Sequence, residues 1–151
     1  MKFFIFCFLL FFSLLPAQDL SANHISEIAY YDLDHLDKAM IQVYGFKRVQ
    51  DIEDDNQRVY TNDSHKIGEL IVITVIKKAG SCSNILSIVN TSLDSVLKIR
   101  QDLPKIGYLY KGKQKLSADI FFSLFVKDKL TVAITDQVTH TGAYQILVTY
   151  K

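Results

Sequence analysis

The run Glu69–Lys77, ELIVITVIK, constrains the fold more than any other part of the chain. Leu70, Ile71, Val72 and Ile73 follow one another, and Val75 and Ile76 come after a single threonine. β-Branched side chains are stiff about χ1 and suit a pleated backbone. Successive strand residues point to opposite faces, so an unbroken aliphatic run makes a strand apolar on both sides. The expectation is a central strand, buried on both faces, in a multi-stranded sheet.

Such a sheet needs a core, and the chain has no covalent staple to help it. The first residues, MKFFIFCFLLFFSLLPAQ, place one lysine before an apolar run and end on Pro16, Ala17 and Gln18. That is the layout of a secretory signal, with a small residue before the cleavage point. Pro16 breaks the helix where a peptidase needs extended chain. A retained anchor is the alternative reading, although an apolar run under about 18 residues is short for a bilayer span. Residues 1–18 therefore read as an export signal and residues 19–151 as one domain, with no stable membrane anchor after cleavage. Cys7 leaves with the signal, so Cys82 stays as the sole cysteine and no disulfide closes within the mature chain. About 130 residues suffice to fold on a hydrophobic core alone.

The chain carries 17 Lys and Arg against 16 Asp and Glu, a formal net charge of +1. The signs alternate along the sequence, which points away from nucleic acid and from an anionic membrane surface as partners. The densest basic run, Lys111–Lys115, contains Gly112 and lies between apolar segments, so it reads as a solvated turn.

Asn23–Ala29 reads as a short strand carrying Ile25 and Ile28. Asp32 is placed to N-cap a helix in which Leu33, Leu36, Ala39, Met40, Val43 and Tyr44 recur at helical spacing. Gly45 closes that helix in the left-handed region. Strands are expected at Phe46–Val49, Gln57–Thr61 and Glu69–Lys77, separated by turn compositions at 51–56 and 62–65. A second cycle opens with a strand from Asn84 through Val89. A helix follows, capped by Thr91–Asp94 and stopped by Pro104, with Leu93, Val96, Leu97, Arg100 and Leu103 as its inner face. Tyr108–Tyr110 is a short strand, Ser117–Val126 and the run from Leu130 form a hairpin, and Tyr144–Tyr150 comes last. Ile28 overlays Ile88, Leu33-Asp34 overlays Leu93-Asp94, and Gly45-Phe46 lies within two residues of Gly107-Tyr108, a period of about 60 residues. The fold class is α+β: an antiparallel-rich sheet of seven or eight strands with two helices on one face. The period is compatible with two βαβββ-like repeats.

His24-Ile25-Ser26, Asp32-Leu33-Asp34 and Tyr44-Gly45-Phe46 together resemble the first strand, helix and exit of the vicinal oxygen chelate superfamily, which includes glyoxalases, extradiol dioxygenases and bleomycin-binding proteins. The resemblance implies a His or Gln on the first strand of each unit and a carboxylate late on its fourth. His24 stands at the first position and Asn84 at its counterpart. Ile73, Val75 and Ile76 in one unit, and Gln145 and Thr149 in the other, stand where an acid is implied. A metal needs three or four converging donors, so no metal and no other cofactor is expected. A metal-free relative would hold a small molecule between its halves, beside His24 and Asn84.

No other catalytic pattern is complete. His24, His35, His65 and His140 are too far apart in sequence to share one element, and read as surface residues. Cys82 sits in Gly80-Ser81-Cys82-Ser83 without a local base, so it reads as an inert thiol; exposed, it could couple two chains. The serines stand in no nucleophile context. The acidic run 51–56 lacks the mid-loop glycine and terminal glutamate of a calcium loop. Phe121 and Phe125 fall on the face of their strand opposite Phe122 and Leu124. That strand is therefore apolar on both sides, and one side must meet a helix, a second sheet or a partner.

The Phe-rich leader, the Tyr44-Gly45-Phe46 exit, the Tyr60 strand and the Leu-Pro-interrupted second helix are similar to small exported proteins of flavobacterial type. That resemblance implies a periplasmic or extracellular address and implies no activity. The expectation is an exported binding or interaction module without catalytic machinery, for a protein, a peptide or a small apolar ligand. The candidate contact residues are His24, Asn84, Phe121 and Phe125. The alternative is a degenerate chelate-type small-molecule-binding protein or lyase.

Overall fold

A computed structural model describes residues 20–77, 80, 83–115 and 119–150. The expected export signal and Cys82 lie outside the described residues. Helix α1 spans Ala22–Ile28 and helix α2 spans Leu33–Asp37, continuing as a π-helical segment over Lys38–Val43. Strands β1 (Lys47–Arg48), β2 (Gln57–Thr61), β3 (Ile71–Lys77) and β4 (Asn84–Asn90) follow. Helix α3 (Leu93–Lys105) then leads into β5 (Leu109–Lys115), β6 (Phe121–Lys127), β7 (Leu130–Thr135) and β8 (Tyr144–Tyr150). The strands form one antiparallel sheet in the order β1-β2-β3-β4-β8-β7-β6-β5.

This is the expected α+β class, with differences in detail. Asn23–Ala29 is helical rather than extended. Ser21 caps it: its hydroxyl accepts from the His24 amide at 3.2 Å, and the His24 ring Nδ1 accepts from the Ser21 amide at 3.4 Å. Ile25 and Ile28, three apart, fall on one buried helix face, a spacing that strand alternation cannot bury together. The structure therefore has three helices where two were expected, and its repeat is αββββ instead of βαβββ. Ile28 lies on a helix while Ile88 lies on a strand, so that overlay fails. Other correspondences hold near the same period. Asp32 and Ser92 are both N-caps, Gly45 and Gly107 both take positive φ (73° and 95°), and Phe46 and Tyr108 are both buried. Each half is a four-stranded meander, and the halves join through β4 and β8, where Ser87 pairs with Leu147. The register makes that pair the centre of an approximate two-fold axis.

The helices bury their apolar stripes on a single sheet face. Ile25, Ile28, Leu36, Met40, Val96, Ile99 and Leu103 meet Ile73, Val75, Leu86, Ile88, Val132, Ile134, Ile146 and Val148 in one core. In α3 the buried stripe is Val96, Ile99 and Leu103, while Leu93 and Leu97 are 50% and 40% exposed, so the helix is rotated from the expected face. Pro104 lies inside its last turn, where the helix continues to Lys105. In the π-helical segment the Tyr44 amide donates to Ala39 and the Phe46 amide to Met40. The wider turn shifts the phase and leaves Val43 exposed. The basic run Lys111–Lys115, expected as a turn, forms most of edge strand β5. Its lysines and a register shift near Gly112 blunt the open edge.

Candidate functional site

Among the described residues the helices lie on one side of the sheet and none covers the other face, whose residues are mostly half-buried, with Val59 and Thr135 fully buried. On β3 the buried residues are Ile71, Ile73 and Val75, while Val72, Thr74 and Ile76 are partly exposed. The expectation of burial on both faces is therefore corrected: one face of this aliphatic strand is buried and the other only half-buried. The pairing registers carry the open face from strand to strand. Thr74 stands beside Ser87, Ser87 beside Leu147, Leu147 beside Ala133, and Ala133 beside Leu124. Flanking rows run through Ile76, Ile85, Thr149, Thr131 and Val126, and through Val72, Val89, Gln145, Thr135 and Phe122. At the margins β2 adds Gln57, Val59 and Thr61, and β5 adds Leu109 and Gln114.

None of these residues is ionisable. From β2 to β5 the charged residues that pair in register, Arg58, Lys77, Lys113, Lys115 and Lys127, alternate onto the helix side. Lys111 falls in the register shift of β5, and Lys47 on short β1 lies beyond the margin, paired to Asp63 at 2.6 Å. Leu147, at the middle of the face, is 46% exposed. The face mixes aliphatic side chains with threonine, serine and glutamine, and an exposed Leu147 amid such an uncharged surface marks a candidate partner site.

The candidate residues lie elsewhere. His24 stacks its ring on Tyr44 at 4.2 Å between centroids. Asn84 is buried, its amide nitrogen donating to the carbonyls of Tyr31 at 2.7 Å and Ile28 at 3.2 Å. It fastens the α1–α2 turn to β4, so His24 and Asn84 have separate structural tasks. Phe125 is 5% exposed and packs in the helix-side core, its ring 5.3 Å from that of Tyr110. Phe121 is 41% exposed at the start of β6, on the helix-side parity, with the Lys115 ammonium 6.0 Å from its ring centre. The doubly apolar strand does meet the helix layer with one side, but its open side carries Phe122, Leu124 and Val126. The alternation that placed Phe121 and Phe125 together also contained this answer. What it lacked was which side the helices take.

Three polar clusters complete the surface chemistry. Arg48 donates from Nε to Glu53 and from Nη1 to Asp37, both at 2.7 Å, and Tyr60 donates to Asp37 at 2.5 Å. Burial, and then the bond to Asp37, push the Tyr60 phenol well above its ordinary range. At the equivalent place in the second half, Tyr110 pairs with Phe125. Asp136 receives Ser123 at 2.7 Å, Arg100 at 3.0 Å and Lys113 at 2.9 Å. Burial pushes that carboxyl up, but Ser123, Lys113 and Arg100 outweigh it and hold it below the usual carboxylate value. Near α1, Glu27 accepts from Tyr44 at 2.7 Å and from Tyr31 at 3.4 Å. Two shallow open depressions of about 350 and 370 Å³ lie at the 64–70 loop and beside β1, the second reaching Thr61 at the margin of the open face.

Among the described residues no three His, Cys, Asp or Glu side chains are grouped so as to hold a metal ion. No described helix is long and apolar enough to cross a membrane. Comparison with protein-family models, with curated proteins and with solved structures finds no match.

Proposed function

We propose that this chain is an exported binding module without catalytic machinery, and that it docks an apolar partner surface on the helix-free face of its sheet. One observation carries the reading: six adjoining strands, β2 to β6 in sheet order, present only uncharged side chains on that face, with Leu147 half exposed at its centre. On the helix side Arg48 pairs with Asp37 and Glu53, and Asp136 with Arg100 and Lys113. Apolar centres with polar rims are the usual anatomy of protein interfaces.

A photo-crosslinking amino acid placed at position 147 in the full chain, expressed in an exporting cell, tests this. Adducts are expected from 147 and not from position 97 on the helix layer. Absence of any adduct at 147 would overturn the reading. Mass spectrometry of the recovered N-terminus checks export, with processing expected after Ala17 or Gln18.

A further inference from the structure

We infer that the occupant of the open face is a second copy of this chain, packed sheet against sheet about a two-fold axis. The inference rests on the docking surface proposed above and adds its partner. Size is the first argument. Seven strands about 4.8 Å apart, each contributing roughly 20 Å of length, give a face of roughly 700 Å². A stable interface takes roughly 800 Å² from each partner, so this face nearly suffices by itself.

Charge is the second. The six strands from β2 to β6 carry no ionisable group on this face and can stack on their own copy without like-charge repulsion and without desolvating an ion.

The third argument is shape, and it is specific to a copy. In a two-fold dimer the same patch serves both chains, and residue i meets j while j meets i. Let the axis run along the strands between β4 and β8, through the centre of the sheet. Each copy's β8 then lies over the other's β4. Because Ser87 and Leu147 are register partners, each Leu147 stands over the other chain's Ser87. In the flanking rows Ile85 stands over Thr149 and Val89 over Gln145, following the same register. On these three rows large aliphatic groups of one half oppose short or slender ones of the other. That alternation lets two sheets interdigitate at their usual separation of about 10 Å. Stacked sheets are offset by about 30°, which spoils the match least at the axis, where Leu147 is.

Analytical ultracentrifugation of the purified protein over a range of concentrations is the test. A dimer is expected. Leu147→Asp, which buries an unpaired charge at its centre, is expected to raise the dissociation constant at least ~100-fold. Leu97→Asp on the exposed side of α3 is expected to leave it unchanged. Leu147→Ser and Ser87→Leu should each weaken the dimer, and the two together should recover it to within about tenfold, because the swap restores large over small. Circular dichroism confirms that each variant folds. A dimer indifferent to Leu147→Asp would overturn the inference. So would a monomer whose position 147 crosslinks to residues 1–18 of its own chain. A monomer whose position 147 crosslinks to some other molecule would overturn self-pairing and leave the binding-module reading standing. A monomer without adducts would overturn both.

Discussion

Ser87 and Leu147 stand directly opposite each other across the β4–β8 ladder, sixty positions apart in sequence, at the point where the two αββββ halves meet. Their side chains belong to the uncovered face. The next residues on each strand, Ile88 and Ile146, pair on the helix side and are fully buried. One ladder thus divides two environments, and substitutions one residue apart should differ sharply in cost.

Ile88→Ala removes a fully buried side chain from the core and is expected to cost about 2–5 kcal/mol. Leu147→Ala, on the open face, should cost less than about 1 kcal/mol at protein concentrations where the chain is dilute. Urea unfolding of both variants measures the difference. Equal losses would mean that the open face is covered within a single chain.

Tyr60 gives a prediction at alkaline pH. Its folded-state pKa lies above the ordinary 10.0 because burial and the bond to Asp37 favour the neutral phenol. Above pH 10.0 the unfolded chain loses this proton and the folded chain keeps it, so stability falls as pH rises beyond that point. Tyr60→Phe should therefore flatten the alkaline limb of a stability–pH curve. At neutral pH the same change removes a donor from Asp37, with an expected loss of about 1–2 kcal/mol. Thermal melts between pH 7 and 11 read both effects.

Asp136 gives the opposite sign. Its carboxyl is held below the ordinary 3.8, since Ser123, Lys113 and Arg100 outweigh the effect of burial. Its contribution is fully present above pH 3.8 and disappears as pH falls through the lower folded-state value. Asp136→Asn keeps the size and loses the charge, so it should cost about 1–3 kcal/mol at pH 7. The gap between variant and wild type should close in strong acid. A gap that persists unchanged at pH 2 would assign the loss to packing.

Much of this architecture is legible in the sequence. The Asp32 cap, the Gly45 stop, the limits of β2, the β7–β8 strands and the period of about 60 residues all follow from local chemistry that the structure repeats. The first helix was not, because seven residues carry only two strong apolar positions and its Ser21–His24 cap uses a histidine where glutamate is usual. The stripe of α3 was misplaced because Leu93 and Leu97 are as apolar as Val96 and Ile99, so composition could not choose between faces. The open sheet face was missed for a related reason. Alternation shows that a strand has two apolar sides, but which side the helices cover is decided by tertiary packing. The absence of charge at every second position of β3, β4, β6, β7 and β8 was the available signal, and it becomes readable only once the register is known.

Asn84 ties helix α1 to the sheet. Its side-chain amide serves two carbonyls, those of Ile28 and Tyr31, and its backbone amide donates to Ala29 at 2.8 Å. The two carbonyls lie where α1 ends and the chain turns into α2, and in Asn84→Ala they would lose a buried donor that water cannot easily replace. An isolated helix of seven residues is unstable in water, so α1 depends on its anchorage. Asn84→Ala should therefore cost about 2–4 kcal/mol, and hydrogen exchange should show the loss first in Ala22–Ile28, with β6 and β7 still protected. Were Asn84 a ligand contact with no structural task, exchange in α1 would be unchanged. Asn84→Asp separates the carbonyl contacts from side-chain volume: it keeps the shape, loses the donor, and should loosen the same helix.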